Sequence, residues 1–312
     1  MRLQVPSILL ACSLGAGWAQ TRPVRPAKAF EDDPQARIIL DVTRVNLLFT
    51  VTDRRGRFVT DLTKDDFSVR EGKNVQKILD FTAESDLPLR LAILVDSSNS
   101  IRDRFRFIQE AAIEFLTSVM RPQQDKSAVI SFDTAAELQA DLSNDVEAQA
   151  RAIRQLRPGG GTSLYDAIFY ASRDKLMMDQ PRDKFRRAMV ILSDGEDNQS
   201  RYTRDQALEM AQKADVVIYT ISTNITRIQT DGDKVLKYLS SETGGMTFFP
   251  FKVEDLSQSF ENIANEMRHQ YNLLYRPEPM KTDGSFQAVE LKVTTRSNLV
   301  VRARKGYYAP KL

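Results

Sequence analysis

The chain has 312 residues with 44 Lys+Arg against 42 Asp+Glu, one Cys and one His. A structural zinc site needs about four Cys/His ligands and a catalytic one usually two or three His, so neither can be built, and a disulfide framework is excluded. The net charge of +2 gives no overall pull toward nucleic acid or acidic lipid.

Met1-Arg2 places a positive charge before the mostly apolar stretch Leu3–Ala16, and Gly17-Trp18-Ala19 follows as a small-x-small site. That order reads as a secretory signal peptide over residues 1–19, too short to span a membrane. Cys12 follows Leu9-Leu10-Ala11, loosely like a lipoprotein cleavage box, but Leu10 suits that box poorly and only eleven residues precede the Cys. Lipid anchoring through Cys12 is therefore not expected. No later run is long enough for a membrane span, which needs about 18 apolar residues or more. The expectation is an exported protein, periplasmic or extracellular, with no integral membrane span. Residues 20–37, rich in Pro and mixed charge, read as a flexible linker.

Residues 38–86 alternate with period 2 and carry turn signals. Val42, Val45, Leu47, Phe49 and Val51 predict a strand, Asp53–Arg57 a turn, Phe67–Arg70 a strand, and Val75–Phe81 another. Short, closely spaced strands suggest a small β-sandwich. The rhythm then changes. Leu89–Val95, Ala188–Leu192 and Val216–Ser222 are continuous apolar runs, as expected of strands buried on both faces. A strand is also predicted at Ser127–Phe132, and Glu137–Leu142 follows it too closely for a crossover helix, so it is assigned as an antiparallel edge. Met246–Phe251 is the last strand of this region. Helices are predicted over 105–120, 145–156, 163–178, 203–213, 233–242 and 253–269. Alternating strands and helices imply a doubly wound, mainly parallel α/β sheet flanked by helices over residues 87–269. After Arg268 the period returns to 2. Residues 270–312 are too few for a separate domain, so they are expected to pair with the 38–86 strands, with the α/β unit inserted in or lying next to that β-sandwich.

Three polar clusters fall where the buried strands end or a helix opens: Asp96–Ser100, Gly159–Ser163 and Ser193–Asp197. Open α/β sheets bind ligands at such strand exits. Carboxylates and hydroxyls there suit a hard divalent cation with oxygen ligands. Asp96, Ser98 and Ser100 stand at i, i+2 and i+4, so alternate side chains can face one point. Hydroxyls are neutral, weak donors, and such a cation would retain Lewis acidity for an incoming carboxylate. Alone, Asp96/Ser98/Ser100 also suit a helix N-cap. The Gly-rich turn lacks the Lys of a phosphate loop, and Ser193–Asp197 lacks the spacing of a calcium loop. Asp231-Gly232-Asp233 reads as a turn and helix start, Arg182–Arg187 as a solvated loop, and His269 as a helix end without partner chemistry.

Asp96-x-Ser98-x-Ser100, Thr162 after the Gly-rich turn and Asp194-Gly195 after a buried strand resemble the metal-ion-dependent adhesion site of von Willebrand factor type A (VWA) domains, over roughly residues 89–269. That resemblance implies a Rossmann-like fold, metal coordination by Asp96, Ser98, Ser100, Thr162 and Asp194, and Mg²⁺, with Mn²⁺ or Ca²⁺ as alternatives. Leu62–Phe67, Thr243-Gly244-Gly245 and Arg268–Tyr271 before Tyr275-Arg276-Pro277 further resemble a VWA-related family of exported proteins best known from Acidobacteria. The function so implied is non-enzymatic: adhesion or interaction with a protein ligand that presents Asp or Glu to the metal, with no nucleic-acid partner. Asn99, Ser163, Glu196 and Asp197 would form the partner-binding rim. The alternative is a metal-dependent hydrolase or transferase acting on envelope polymers, for which Glu196 or Asp133 is the candidate base.

Overall fold

The computed structural model describes residues 28–29, 44–83, 87–179, 184–224, 226, 228–250 and 254–311. The expected signal peptide, Cys12 and most of the expected linker lie outside these residues. Among the described residues, no helix is long and apolar enough to cross a membrane.

A seven-stranded sheet forms the centre of the α/β unit. Its strands, in chain order, are β1 (Lys28–Ala29), β6 (Leu89–Asp96), β7 (Lys126–Phe132), β8 (Ala136–Ser143), β9 (Arg186–Ser193), β10 (Val216–Ser222) and β11 (Thr247–Phe248). They lie in the order β1-β8-β7-β6-β9-β10-β11. β6, β7, β9, β10 and β11 are parallel, and β8 is antiparallel to β7. The antiparallel assignment of β8 holds, but it is not the edge. Lys28–Ala29, from the segment read as a linker, pairs antiparallel outside it, against Leu138 and Glu137. Among the described residues the last strand is shorter than its apolar run suggested, with Thr247 and Phe248 in register with β10 and the Met246 carbonyl accepting the Thr220 N–H at 3.0 Å; Phe251 lies outside the described residues.

Helices cover both faces because the parallel strands are apolar on both. Leu91, Ile93, Val95, Val190 and Tyr219 point into one core with α1 (Phe105–Val119), α2 (Val146–Gln155) and α6 (Glu254–Arg268). Ala92, Leu94, Met189, Ile191 and Ile218 point into the other with α3 (Leu164–Tyr170), α4 (Arg204–Lys213) and α5 (Asp231–Thr243). This is the period-2 alternation of a strand with helices above and below it. α3 continues through a π-helical turn, Ala171–Leu176. Side-chain caps start three of these helices: Asp145 accepts from the Ala148 N–H, while Thr203 and Thr230 form capping boxes with Gln206 and Asp233. The reading of Asp231–Asp233 as a helix start is thereby explained.

The basic run departs from its expected solvated loop at its end. Arg186 and Arg187 are the first residues of β9 and are buried. Arg187 donates to the Leu176 and Asp179 carbonyls at 2.7 and 2.6 Å, and Arg186 to the Leu87 carbonyl at 2.9 Å. Burying a guanidinium is tolerable when its N–H groups are so satisfied; the charge pattern alone could not reveal those acceptors.

The remaining strands form two four-stranded antiparallel sheets. One orders β14 (Leu299–Ala303), β2 (Val45–Asp53), β12 (Tyr271–Tyr275) and β5 (Ile78–Thr82); the other orders β15 (Gly306–Tyr308), β13 (Phe286–Val293), β3 (Phe67–Glu71) and β4 (Asn74–Gln76). Each mixes N- and C-terminal strands, as expected, and β12 sits between β2 and β5. Their shared core holds Leu47, Phe49, Val69, Leu273 and Tyr275, with Phe49 stacked on Tyr271 at 5.3 Å. Val75–Phe81, expected as one strand, is two: Gln76 pairs with Val69 in one sheet and Ile78 with Tyr275 in the other. The chain changes sheets at Lys77, a crossing that keeps the alternation and so leaves no mark in it.

The two units touch through ion pairs and backbone bonds. Arg302 meets the buried Glu266 of α6 at 2.8 Å, Arg304 pairs with Asp215, and the Lys305 N–H donates to the Glu242 carbonyl at 3.1 Å.

Candidate functional site

β6 and β9 are adjacent and parallel, and the order departs from them in opposite directions, toward β7 on one side and β10 on the other. A crevice opens at such a reversal, outside the strands' C-terminal ends. Asp96 ends β6 and Ser193 ends β9, so both border this crevice.

Asp96 is fully buried. One carboxylate oxygen accepts the Ser98 N–H at 2.9 Å and the other accepts the Ser193 hydroxyl at 2.6 Å. The Ser98 and Ser100 hydroxyls lie 2.8 Å apart, so alternate residues of this loop do converge. The loop then passes into a 3-10 turn, Asn99–Arg104, that leads into α1.

The Gly-rich loop packs against it. The Gly159 N–H donates to the Ser97 carbonyl at 2.7 Å, and the Asn99 N–H to the Gly160 carbonyl at 3.3 Å. Thr162, buried, is gripped by the third loop: its N–H donates to the Asn198 side-chain oxygen at 3.0 Å, and its carbonyl accepts from the Asn198 and Gln199 N–H groups at 2.9 and 3.0 Å. Asp194 is half-buried and accepts the Glu196 N–H at 3.1 Å. Behind it Gly195 adopts φ +81°. A Cβ on Gly232 would stand 2.1 Å from the Asp194 carbonyl oxygen, so the start of α5 presses directly on this loop.

Burial pushes the Asp96 carboxyl up to about 6, against the lowering effect of the Ser193 and Ser98 hydrogen bonds, and the nearby charge of Asp194 adds to the rise. Among the described residues, no Lys or Arg pairs with Asp96 or Asp194. Burying a carboxylate beside a second one, without a cation, is costly. The donor chemistry therefore fits a hard divalent cation: oxygen atoms alone, from two carboxylates and three hydroxyls. Among the described residues no three His, Cys, Asp or Glu gather to hold a metal, so such an ion would depend on the hydroxyls.

The four expected rim residues differ in placement. Asn99 and Glu196 are exposed. Ser163 is fully buried. Asp197 is half-buried, and its carboxylate accepts the Tyr165 N–H at 3.1 Å and the Ser200 hydroxyl at 2.5 Å, anchoring the start of α3. Asp133, a candidate base of the enzymatic alternative, accepts the Ala135 N–H at 3.3 Å in the loop between β7 and β8. His269 stacks on Phe58 at 5.1 Å. From the sequence, Ser193 is only the first residue of the third polar cluster and Gly232 only part of a helix-start turn; neither they nor Asn198 carry a signal for the contacts they make at the site. Ser193 and Asn198 adjoin the Asp194 cluster, but their partners are 97 and 36 residues away in the chain.

A family model for the von Willebrand factor type A domain matches residues 91–266, more than half of the chain. The chain belongs to this family. VWA domains are generally interaction modules, and they bind a divalent metal at their adhesion site. Among solved structures, proximal thread matrix protein 1 from the mussel byssus is 16% identical, with TM-score 0.51, over 64% of this chain and 51% of that one. A form of that protein with a zinc-occupied MIDAS motif is 18% identical, with TM-score 0.50, over 62% and 49%. A von Willebrand factor type A protein from Catenulispora acidiphila is 12% identical, with TM-score 0.48, over 78% and 76%. At these identities the mussel structures show a shared VWA fold. No curated protein matches the chain.

Proposed function

We propose that this VWA protein is an exported, metal-dependent binding module whose cation site is formed by Asp96, Ser98, Ser100, Thr162 and Asp194. The observation that carries the reading is the fully buried Asp96 beside Asp194, with no basic partner among the described residues. A divalent cation, Mg²⁺ for preference over Mn²⁺ or Ca²⁺, would supply an open coordination position for a partner's Asp or Glu carboxylate. The chain's own residues prepare that position. Ser193 and the Ser98 N–H orient Asp96; Asn198 holds the Thr162 backbone; Asn99 and Glu196 stand exposed beside the loops, where they can contact the partner. The sequence features shared with exported Acidobacterial VWA proteins, together with the leader at residues 1–19, support export. The domain boundaries at residues 87 and 269 belong to the same reading.

Titration calorimetry with Mg²⁺ tests the site: the wild type gives a saturable heat and Asp96→Ala gives none. A pull-down from cell envelope should then recover a protein partner that EDTA and Asp96→Ala both release. Equal heats from wild type and Asp96→Ala would refute the reading.

A further inference from the structure

A cleft of about 540 Å³ lies between the start of α1 and the end of α2. It adjoins two of the three candidate metal loops: Arg102 follows Ser100 by two residues, and Pro158 precedes the Gly-rich turn. Four exposed arginines, Arg102, Arg106, Arg154 and Arg157, line it against a single carboxylate, Asp103. Among the described residues, Arg154 meets Glu147 at 4.0 Å, while no ion pair engages Arg102, Arg106 or Arg157. Arg102 reaches back to the Asn99 side chain at 2.8 Å, which joins the cleft to the serine loop. Arg157 donates to the Arg154 and Leu156 carbonyls at 3.3 and 2.8 Å at the end of α2. In a protein of net charge +2, the four guanidinium groups remain a local concentration of positive charge that the proposed cation site does not use.

We propose that this cleft receives an extended acidic peptide segment of the partner. The inference rests on the metal-dependent binding reading above and names the chemistry that surrounds the carboxylate bound there. Guanidinium groups present planar forks that match carboxylates bidentately. Arg102 and Arg106 are four residues apart across the 3-10 turn and the first turn of α1, a rise of roughly 6–8 Å. Side chains on one face of an extended strand recur every roughly 6.6 Å. Acidic residues at alternate positions of such a segment would therefore meet successive arginines. Phe105 and Leu156 give the cleft an apolar floor for the methylene stems of Glu.

Fluorescence anisotropy of the full chain in Mg²⁺, with two labelled dodecapeptides carrying Glu or Gln at every second position, tests the proposal. The Glu peptide should bind at least tenfold more tightly than the Gln peptide. The triple variant Arg106→Gln/Arg154→Gln/Arg157→Gln, which leaves Arg102 on Asn99, should weaken the Glu peptide roughly tenfold and flatten its dependence on NaCl. Its Mg²⁺ titration heat should match wild type, showing that the fold and the cation site are intact. Arginine-dependent binding that survives EDTA and Asp96→Ala would uphold the cleft and refute the metal reading. Wild-type affinity in the triple variant, or no binding of the Glu peptide, would overturn the proposal. So would arginine-dependent binding of polygalacturonate or of anionic phosphatidylglycerol vesicles without binding of the peptide.

Discussion

The Ser193 hydroxyl donates to the Asp96 carboxylate at 2.6 Å and accepts the Gly195 N–H at 3.0 Å. One side chain thus ties the exits of two neighbouring parallel strands and fixes the turn that follows the second. Residues that hold a ligand in place commonly cost 10–100-fold in metal affinity when removed. Ser193→Ala should lower Mg²⁺ affinity by roughly tenfold, measured by titration calorimetry, and stability by about 1 kcal/mol. An unchanged affinity would show that Asp96 needs no such support.

Gly232 and Gly195 meet backbone to backbone, and a Cβ on Gly232 would lie 2.1 Å from the Asp194 carbonyl oxygen. Backbone cannot yield as a flexible side chain does. Gly232→Ala should therefore cost about 1–3 kcal/mol in urea unfolding and weaken Mg²⁺ binding by displacing Asp194. The half-buried Gly159, whose Cβ would meet nothing within 4 Å, is the control: Gly159→Ala should change neither measurement appreciably.

Glu266 of α6 faces Arg302 of β14 at 2.8 Å, yet burial pushes its carboxyl up from 4.5 to about 7. A carboxyl raised on folding binds its proton more tightly in the native state, so its contribution is full below about 4.5 and is lost as pH rises through about 7. This group should make stability fall between about pH 5 and 8, by on the order of 2–3 kcal/mol. Urea midpoints across that range would measure it. In Glu266→Gln this component of the slope should vanish; an identical slope in the variant would assign it to other groups.

β12 lies between β2 and β5, so neither end of the chain can complete the sandwich alone. Deleting residues 270–312 would uncover Leu47, Phe49 and Val69. That chain should aggregate or expose dye-binding apolar surface, as judged by size exclusion and dye fluorescence. Phe49→Ala in the full chain should cost about 3–5 kcal/mol. A soluble, monomeric truncation would show that the N-terminal strands need no partners.

The amino-acid sequence alone determined the parallel core and the place of the candidate site. Strands buried on both faces must be continuous apolar runs, and their ends are marked where those runs give way to Asp96-Ser97-Ser98 and Ser193-Asp194-Gly195. The split sandwich was legible too, because period-2 patterning stops before Leu89 and resumes after Arg268. Tertiary structure alone decided which distant groups meet. Ser193 on Asp96, Gly232 against Asp194, and Asp197 turned to the Tyr165 N–H are contacts across 97, 38 and 32 residues. The burial of Arg186 and Arg187, the sheet change at Lys77, and the outer pairing of Lys28–Ala29 depend on the same packing. Hydrophobic period reports only which face of an element is buried; the partner that faces it is fixed by how the elements stack, and one chain's local pattern carries no record of that.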